Sequence, residues 1–524
     1  MIRRYILFAL LACCGSSYKF LVYSPTYGYS HTKFMGVLAD ILTEAGHNVT
    51  ILMPIIDNEE MDLTGVKLTK NIIKLPPDER IAEMQDYEAQ EISELWKMPL
   101  GISGFLQMKQ EMIEWQTSQC ERTLKHVSLI KQLEKEQFDV GIAEAFGICG
   151  FGVFRAAKIK TTLATLSSVH ADLISEIIGE PVTPSYVPGG MSSAGDQMDI
   201  VGRFENFMDA LLERSYFIDV FDSEIKLFKK KFGPDFDGWQ QLLADTSLWF
   251  VNSNPYLDYP RPTLHRSLSI GGITVSSDHE KNELPEWDAF LNERNTTVLV
   301  SFGSVAKAVY MPDNYMQSLL KVFESMPETT FIFKYEEENS KIADHLRNVH
   351  LSTWLPQNAL LGDPRLTAFI THGGLGSVTE VAYQDKPAIL IPIFADQPRN
   401  AKMLAKHGGA IYLTKYDLNT PEKLKESLRI ILNDPSYARN AKHLAEMLRN
   451  PPISSKQLFL RHCEFAAKFG RLPSLDPYGR QLSFVQYYLI DIALLLMAIT
   501  AIAIYAITKV FLKCLSIAKK VKKD

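Results

Sequence analysis

The sequence predicts an α/β protein of two Rossmann-like domains facing a cleft, followed by one C-terminal transmembrane helix. Three observations carry this expectation. Short apolar strands alternate with helix-period segments in two separate series, one before residue 254 and one after residue 297. Two of those strands run directly into glycine-rich turns, near Gly147 and at Gly373-Gly374. A nearly unbroken apolar run, Phe484–Val510, is long enough to cross a bilayer.

From the N-terminus, residues 1–17 read MIRRYILFALLACCGSS. Two arginines before a short apolar run that ends in small residues form a secretory signal-peptide pattern, with the cut between Cys14 and Tyr18. Residues 18–254 form the first domain. It opens with a strand at Lys19–Ser24 and a helix at His31–Glu44, whose Phe34, Val37, Leu38, Ile41 and Leu42 share one face. Gly46 ends the helix, and a strand follows at Val49–Met53, which makes a βαβ unit and hence a parallel sheet. A buried strand at Asp139–Ala143 ends in Glu144. The intervening segments Ile72–Lys131 and Leu166–Leu243 carry Met and aromatic side chains, among them Trp96, Phe204, Phe207, Met208, Tyr216 and Phe217. Such a stripe reads first as core, and otherwise as an apolar acceptor pocket or a surface resting on membrane.

Residues 255–296, with Pro260, Pro262 and Gly271-Gly272, read as a linker. The second domain, 297–450, has strands at Thr297–Ser301, Phe331–Tyr335, Val349–Ser352, Leu366–Ile370, Ala388–Pro392 and Ala410–Leu413. A membrane-proximal segment, 451–483, leads into the apolar run 484–510 and a basic tail, 511–524. Lys509, Lys513, Lys519, Lys520, Lys522 and Lys523 place that tail in the cytosol and both domains in the lumen. Lys520 and Lys522 have dilysine retrieval spacing, which points to the endoplasmic reticulum membrane.

The chain has 524 residues and a net charge of −6, with no broad basic surface, so nucleic acid is not an expected partner. Nothing in the composition bars a homo-oligomer. Cys120, Cys149 and Cys463 are the cysteines of the lumenal part, an odd set that leaves at least one unpaired within a chain. Asn48 and Asn295 head glycosylation sequons; Asn48 opens a strand expected to be buried, so Asn295 is the stronger candidate.

The chemistry concentrates between Trp354 and Gly409. The strand Leu366–Ile370 enters Thr371-His372-Gly373-Gly374, and a helix starts near Leu375. Glycines let the backbone approach an anion, and the helix N-terminus offers free N–H groups and partial positive charge. The next strand leads to Asp396-Gln397 on the same sheet edge. The pieces SFGS (Ser301–Ser304), WLPQN (Trp354–Asn358), FITHGG (Phe369–Gly374), Glu380 and ADQPRN (Ala395–Asn400) resemble the signature of the UDP-glycosyltransferases, a family that includes glucuronosyltransferases; the likeness is strongest to nematode-type members.

The resemblance implies the two-domain GT-B fold, with a last helix, Pro452–Phe469, crossing back onto the first domain. It also implies that Ser304 and His372 hydrogen-bond a diphosphate with backbone help from Gly374 and Ser377. Trp354 and Gln357 suit a uracil, by a flat face and an amide that can pair with its edge. Glu380 suits ribose hydroxyls, and Asp396 and Gln397 suit those of the sugar. His31, at the C-terminal edge of the first sheet, is the candidate general base, a place supported by its match to the family through GYSHTKFM. Glu144 ends a neighbouring strand and would orient it.

This chain departs from the family twice: Glu144 stands where Asp is usual, and Gly376 where Asn is frequent. Family glucuronosyltransferases commonly carry an arginine just after the strand matching Leu248–Val251; here Asn252 occupies the place, which favours UDP-glucose over UDP-glucuronic acid. Asp235-Phe236-Asp237 spells the DxD of metal-dependent transferases but lies in a loop, so no metal or other cofactor is expected. The implied reaction is inverting transfer of a hexose to a hydroxyl of a small lipophilic acceptor. The alternative is a non-catalytic, membrane-anchored receptor for a nucleotide sugar or lipid.

Overall fold

The computed structural model describes residues 17–56, 61–81, 94–275 and 284–522. The leader therefore lies outside the described residues, as do Lys523 and Asp524. Residues up to Leu475 form one compact unit and Asp476–Asp524 a second.

The first unit holds two sheets. One is built from β1 (Lys19–Tyr23), β2 (Asn48–Pro54), β3 (Asn71–Leu75), β4 (Val140–Glu144), β5 (Thr161–Leu166), β6 (Leu248–Val251) and β7 (Ser267–Ser269), in the order β3-β2-β1-β4-β5-β6-β7. The other contains β8 (Thr296–Ser301), β9 (Thr329–Lys334), β10 (Val349–Ser352), β11 (Leu366–Thr371), β12 (Ala388–Leu390) and β13 (Ala410–Tyr412), in the order β10-β9-β8-β11-β12-β13. Adjacent strands pair in parallel. The central strands are buried on both faces, which is why they read as continuous apolar runs. In both sheets the strand order reverses at the middle, between β1 and β4 and between β8 and β11. Ligand crevices of open parallel sheets lie outside the carboxyl ends of such strands.

Among the helices, α1 (Tyr29–Glu44) follows β1 and buries Phe34, Met35, Leu38, Ile41 and Leu42. Helix α2 (Lys109–Lys125) is joined to α3 (Cys149–Ala156) by the disulfide Cys120–Cys149, which leaves Cys463 unpaired and buried. Helix α4 (Ile200–Phe232) crosses the first domain. In the second, α5 (Leu375–Tyr383) follows β11 and α6 (Gln397–Ala405) follows β12. Helix α7 (Ser455–Phe469) returns to the first domain, where Phe459, Cys463 and Ala466 join the core around Phe20, Val22 and Phe250.

Several readings change. The segment 255–296 is not only connection, because β7 within it is the seventh strand of the first sheet. Strands β3 and β5 lie in stretches without a plain strand pattern; in TTLATL at β5, threonines interrupt the apolar run. The 484–510 run is not one helix. A short helix, Phe484–Tyr487, is separated by Tyr488 and Leu489, whose φ of 55° is left-handed, from α8 (Ile490–Val521), which runs past residue 510 into the lysines. Asn48 is exposed although the rest of β2 is largely buried, and Asn295 is exposed as well.

The domains are fastened away from the cleft. Trp96, from the first domain's chain, is buried in the second core against Phe302 and donates to Lys307 O at 3.1 Å. The buried Lys415 ammonium donates to Leu95 O and Ile393 O.

Candidate active site

His31 is the third residue of α1, placed there by Gly28, whose φ of 144° turns the chain into the helix. Its Nδ1 lies 2.8 Å from Glu144 Oε2 and 2.9 Å from Ser167 Oγ. Ser167 N donates to the other Glu144 oxygen at 2.8 Å. Asn252 is buried and donates from Nδ2 to Ser167 O at 2.8 Å, so it braces the same turn. Burial opposes the Glu144 charge, yet facing His31 and the Ser167 donors holds its carboxyl below the ordinary value. Glutamate's extra methylene, measured against the aspartate usual in the family, therefore still lets the carboxylate reach the ring. An imidazole backed in this way can accept a proton at Nε2 and be stabilised as imidazolium. Phe146 and Tyr27 stand edge-on to His31, at 5.2 and 6.0 Å, and Phe217 and Tyr216 continue the aromatic wall behind Phe146.

The opposite wall is the edge of the second sheet. Gly374 caps α5, and first-turn N–H groups of that helix have no intrahelical acceptor. His372 lies between two glycines. A Cβ on Gly303 would come within 2.6 Å of its ring, and one on Gly374 within 2.5 Å. Gly303 also needs its φ of 90°. Burial, reinforced by the neighbouring Lys334 charge, lowers His372 to about 4, so it is neutral near pH 7 and presents one N–H donor. Ser304 is exposed in the turn after β8. Gly376 is exposed with open space where a side chain would project, so sterics do not require glycine there.

Trp354 is 60% exposed; Tyr29 meets its ring edge-on at 6.3 Å and Lys334 Nζ lies 5.6 Å from its centroid. Gln357 Nε2 donates to Glu380 Oε2 at 2.7 Å and to Ser377 Oγ at 3.0 Å. The other Glu380 oxygen receives Lys33 Nζ at 3.1 Å, an ion pair that spans the cleft from α1 to α5. Asp396 is half-buried, accepts from Asn400 at 2.7 Å, and is pushed up by burial. Gln397 Oε1 accepts from Ile393 N and Phe394 N, which leaves its amide NH2 as the group for a ligand.

A family model described as "UDP-glucoronosyl and UDP-glucosyl transferase" matches residues 19–524. The chain belongs to the UDP-glycosyltransferase family. Its relatives include ugt-47 of Caenorhabditis elegans, named as a UDP-glucuronosyltransferase, which is 29% identical over 91% of this chain and 89% of its own length. UDP-glucosyltransferase 2 of Dactylopius coccus is 28% identical, covering 97% and 95%. Human UDP-glucuronosyltransferase 1A10 is 26% identical, covering 98% and 96%. Among solved structures, the glycotransferase of kitacinnamycin aligns with a TM-score of 0.59 at 15% identity, over 88% of this chain and all of that one. The UGT2 structure of Phytolacca americana, complexed with UDP-2fluoro-glucose and pterostilbene, aligns with a TM-score of 0.57 at 14% identity, over 86% and 100%. These neighbours share the GT-B fold. The transferase thus moves a sugar from a UDP-sugar donor to an acceptor.

Sequence reading missed Ser167, Lys33, Lys334 and the supporting place of Asn252. Ser167 could have been found, since it directly follows β5 at the edge that carries Glu144. Lys33 and Lys334 had no such signal, because only the folded cleft brings them to Glu380 and His372. The Asp235–Asp237 loop carries an ion pair from Asp237 to Arg155 at 3.1 Å. Among the described residues no cluster of three His, Cys, Asp or Glu side chains could hold a metal.

Proposed function

We propose that this transferase moves a hexose, with inversion, from a UDP-sugar to a hydroxyl of a small lipophilic acceptor, with His31 as general base and no metal. The observation that carries this reading is the apposition of His31, backed by Glu144 and Ser167, to the His372–Gly374 anion site across one cleft. The acceptor oxygen attacks the anomeric carbon as the bond to the β-phosphate oxygen breaks. The acceptor proton passes to His31 Nε2, and the leaving electron pair stays on UDP. Ser304, His372 and the first N–H groups of α5 receive that charge. Glu380 takes the ribose, Trp354 and Gln357 the uracil, and Asp396 with the Gln397 amide the sugar hydroxyls. Phe146, a partly buried ring edge-on to His31 with Phe217 and Tyr216 packed behind it, suits an apolar acceptor. Glucose is the favoured sugar, because Asn252 is uncharged and already engaged with Ser167.

The enzyme is further read as a type I protein of the endoplasmic reticulum membrane, anchored by α8, with a cleaved leader and both domains lumenal. Exposure of Asn48 and Asn295 suits glycosylation of both.

Purified full-length protein in detergent, given radiolabelled UDP-glucose and a panel of phenols and steroids, tests the chemistry. The expected result is a β-glycoside from the α-linked donor, with turnover unaffected by EDTA. An α-product would refute inversion, and metal-reversible loss would restore the Asp235–Asp237 loop as a candidate. Endoglycosidase treatment of the microsomal protein, with Asn48→Gln and Asn295→Gln beside it, tests the lumenal placement; no mobility shift would overturn it.

A further inference from the structure

Two consecutive residues after β6 connect to opposite walls of the cleft. Asn252 donates to Ser167 O at 2.8 Å, and Ser167 Oγ lies 2.9 Å from His31 Nδ1. Ser253, the next residue, donates from Oγ to Asp258 Oδ2 at 2.7 Å. Asp258 Oδ1 accepts from Tyr259 N at 2.7 Å and from Arg399 Nη2 at 2.6 Å. Arg399 is in the first turn of α6, three residues after Asp396 and two after Gln397. One short run of chain thus ties the turn behind His31 to the helix that begins at Asp396 and Gln397. The Arg399 and Asp258 side chains are only 2 and 5% exposed. Burial opposes the Asp258 charge, but Arg399, Ser253 and the Tyr259 N–H hold its carboxyl below the ordinary value, so the pair is ionised. Helix α6 is held at two further points. Lys402 and Lys406, three and seven residues after Arg399, share its face. Lys402 Nζ donates to Ser193 O at 2.6 Å, and Lys406 pairs with Asp196. The loop that offers Ser193 is held by the amino half of α4, which turns polar groups inward. There buried Asn206 accepts from Gly189 N at 2.9 Å, and Asp209 accepts from Ser192 Oγ at 2.9 Å.

We infer that Asp258 and Arg399 form a positioning pair that sets the sugar end of the donor against the general base. This rests on the reading above, in which His31 takes the acceptor proton and Asp396 and Gln397 hold the sugar. Inverting displacement needs the acceptor oxygen, the anomeric carbon and the leaving oxygen in line. Holding the diphosphate fixes only one end of that line; the sugar must also be registered against His31, which belongs to the other domain. A misplacement of about 1 Å costs on the order of 100-fold in rate. The pair supplies that registration, because the turn after β6 holds both Ser167 and, through Asp258, the first turn of α6. An apolar contact could pack α6 at a lower desolvation cost. It would not fix the rotation of the helix about its axis, whereas a hydrogen-bonded ion pair is directional. A turn of α6 by one residue, about 100°, would carry Asp396 and Gln397 away from the sugar. The Tyr259 ring adds a second restraint from the same segment, with Arg399 and Lys406 at 5.2 and 5.3 Å from its centroid.

The test uses full-length protein in detergent, with UDP affinity read by calorimetry and transfer from UDP-glucose to a phenol read by kinetics. Asp258→Asn/Arg399→Met removes both charges together, because losing one would leave the other buried and unpaired. This variant should bind UDP within about twofold of wild type, while kcat falls by at least about tenfold and the KM for UDP-glucose rises. Arg399→Lys, which keeps a cation beside Asp258, should recover part of kcat. A kcat within about twofold of wild type overturns the inference, and so does a loss of UDP affinity in step with kcat, which marks a purely structural pair. Should the double variant not fold, Ser253→Ala loosens Asp258 without touching a charge: kcat should fall at least about twofold at unchanged UDP affinity, and an unchanged kcat overturns the inference. His31→Ala, run beside these, separates the two readings. Turnover kept there overturns the general base, whereas an inactive His31→Ala beside a fully active double variant overturns the pair and leaves the base standing.

Discussion

His31 shows how much one residue's role depends on neighbours far away in sequence. Its ring is oriented by Glu144, 113 residues on, and by Ser167, 136 residues on. His31→Ala is expected to cut turnover by roughly two to four orders of magnitude, the usual scale for a general base. UDP affinity, read by calorimetry, should hardly change, because the proposed diphosphate contacts are on the other domain. Turnover near the wild-type value would end the assignment. Glu144→Gln keeps the shape but loses the charge that stabilises imidazolium, so it too should lower kcat with little effect on UDP binding. Lys33 makes a different case. It holds an oxygen of Glu380, the residue proposed to take the ribose, and its side chain is 35% exposed. Lys33→Met should therefore lower the KM for the UDP-sugar by about twofold to fivefold, the scale of a partly exposed ion pair. A raised KM would mean that Lys33 contacts the donor directly. Lys33 did not announce itself in the sequence, since its meaning comes only from what the fold brings opposite it.

Elements were legible where burial imposed a simple pattern. β1, β4, β8 and β11 each hold a buried apolar stretch and stand in the middle of their sheets; they also lead into the two walls of the cleft. β5 hid because Thr161, Thr162 and Thr165 break its apolar run, and β7 hid because a three-residue edge strand carries almost no periodicity. Helix α4 hid for a deeper reason: its inward face changes from polar to aromatic near Tyr216, so no single hydrophobic face describes it. That inversion has a pH signature. Burial, together with the nearby Asp172 charge, pushes the Glu213 carboxyl up to about 8. In the unfolded chain it would titrate near ~4.3. The folded state then holds an extra proton between those values, so this contribution to stability is full below ~4.3 and is lost as the pH rises to about 8. Glu224, also raised to about 8 by burial, adds a parallel slope. Glu213→Gln keeps a neutral group of similar shape and should flatten the fall of Tm across that window without removing it. An unchanged slope in thermal-shift measurements would show that Glu213 is ionised in the folded protein.

At the scale of the whole molecule, the two-domain plan was readable because each half repeats the strand–turn–helix grammar. What could not be read was how the halves meet: Trp96 crosses into the second core, Lys415 donates to backbone carbonyls of the first domain's chain, and Lys33 reaches Glu380. Choice of sugar is a property of that joined cleft. A glucuronate carboxylate in a partly dry site needs a matching cation, best supplied by a bidentate arginine. The position after β6 offers Asn252 instead, buried, uncharged and bound to Ser167 O. Arg399, at the sugar-side helix α6, is already committed to Asp258 at 2.6 Å. Lys33 is committed to Glu380, and Lys334 donates to Gly303 O at 2.6 Å beneath the phosphate turn. A charged sugar would have to draw one of these away from its partner, whereas glucose needs only the hydrogen-bonding groups of Asp396 and Gln397. In matched assays at equal donor concentrations, glucoside formation should therefore exceed glucuronide formation by at least about tenfold in kcat/KM, equivalent to about 1.4 kcal/mol of preference. Efficient glucuronide formation without glucoside would overturn this, and would identify one of those three cations as the group that turns to the sugar.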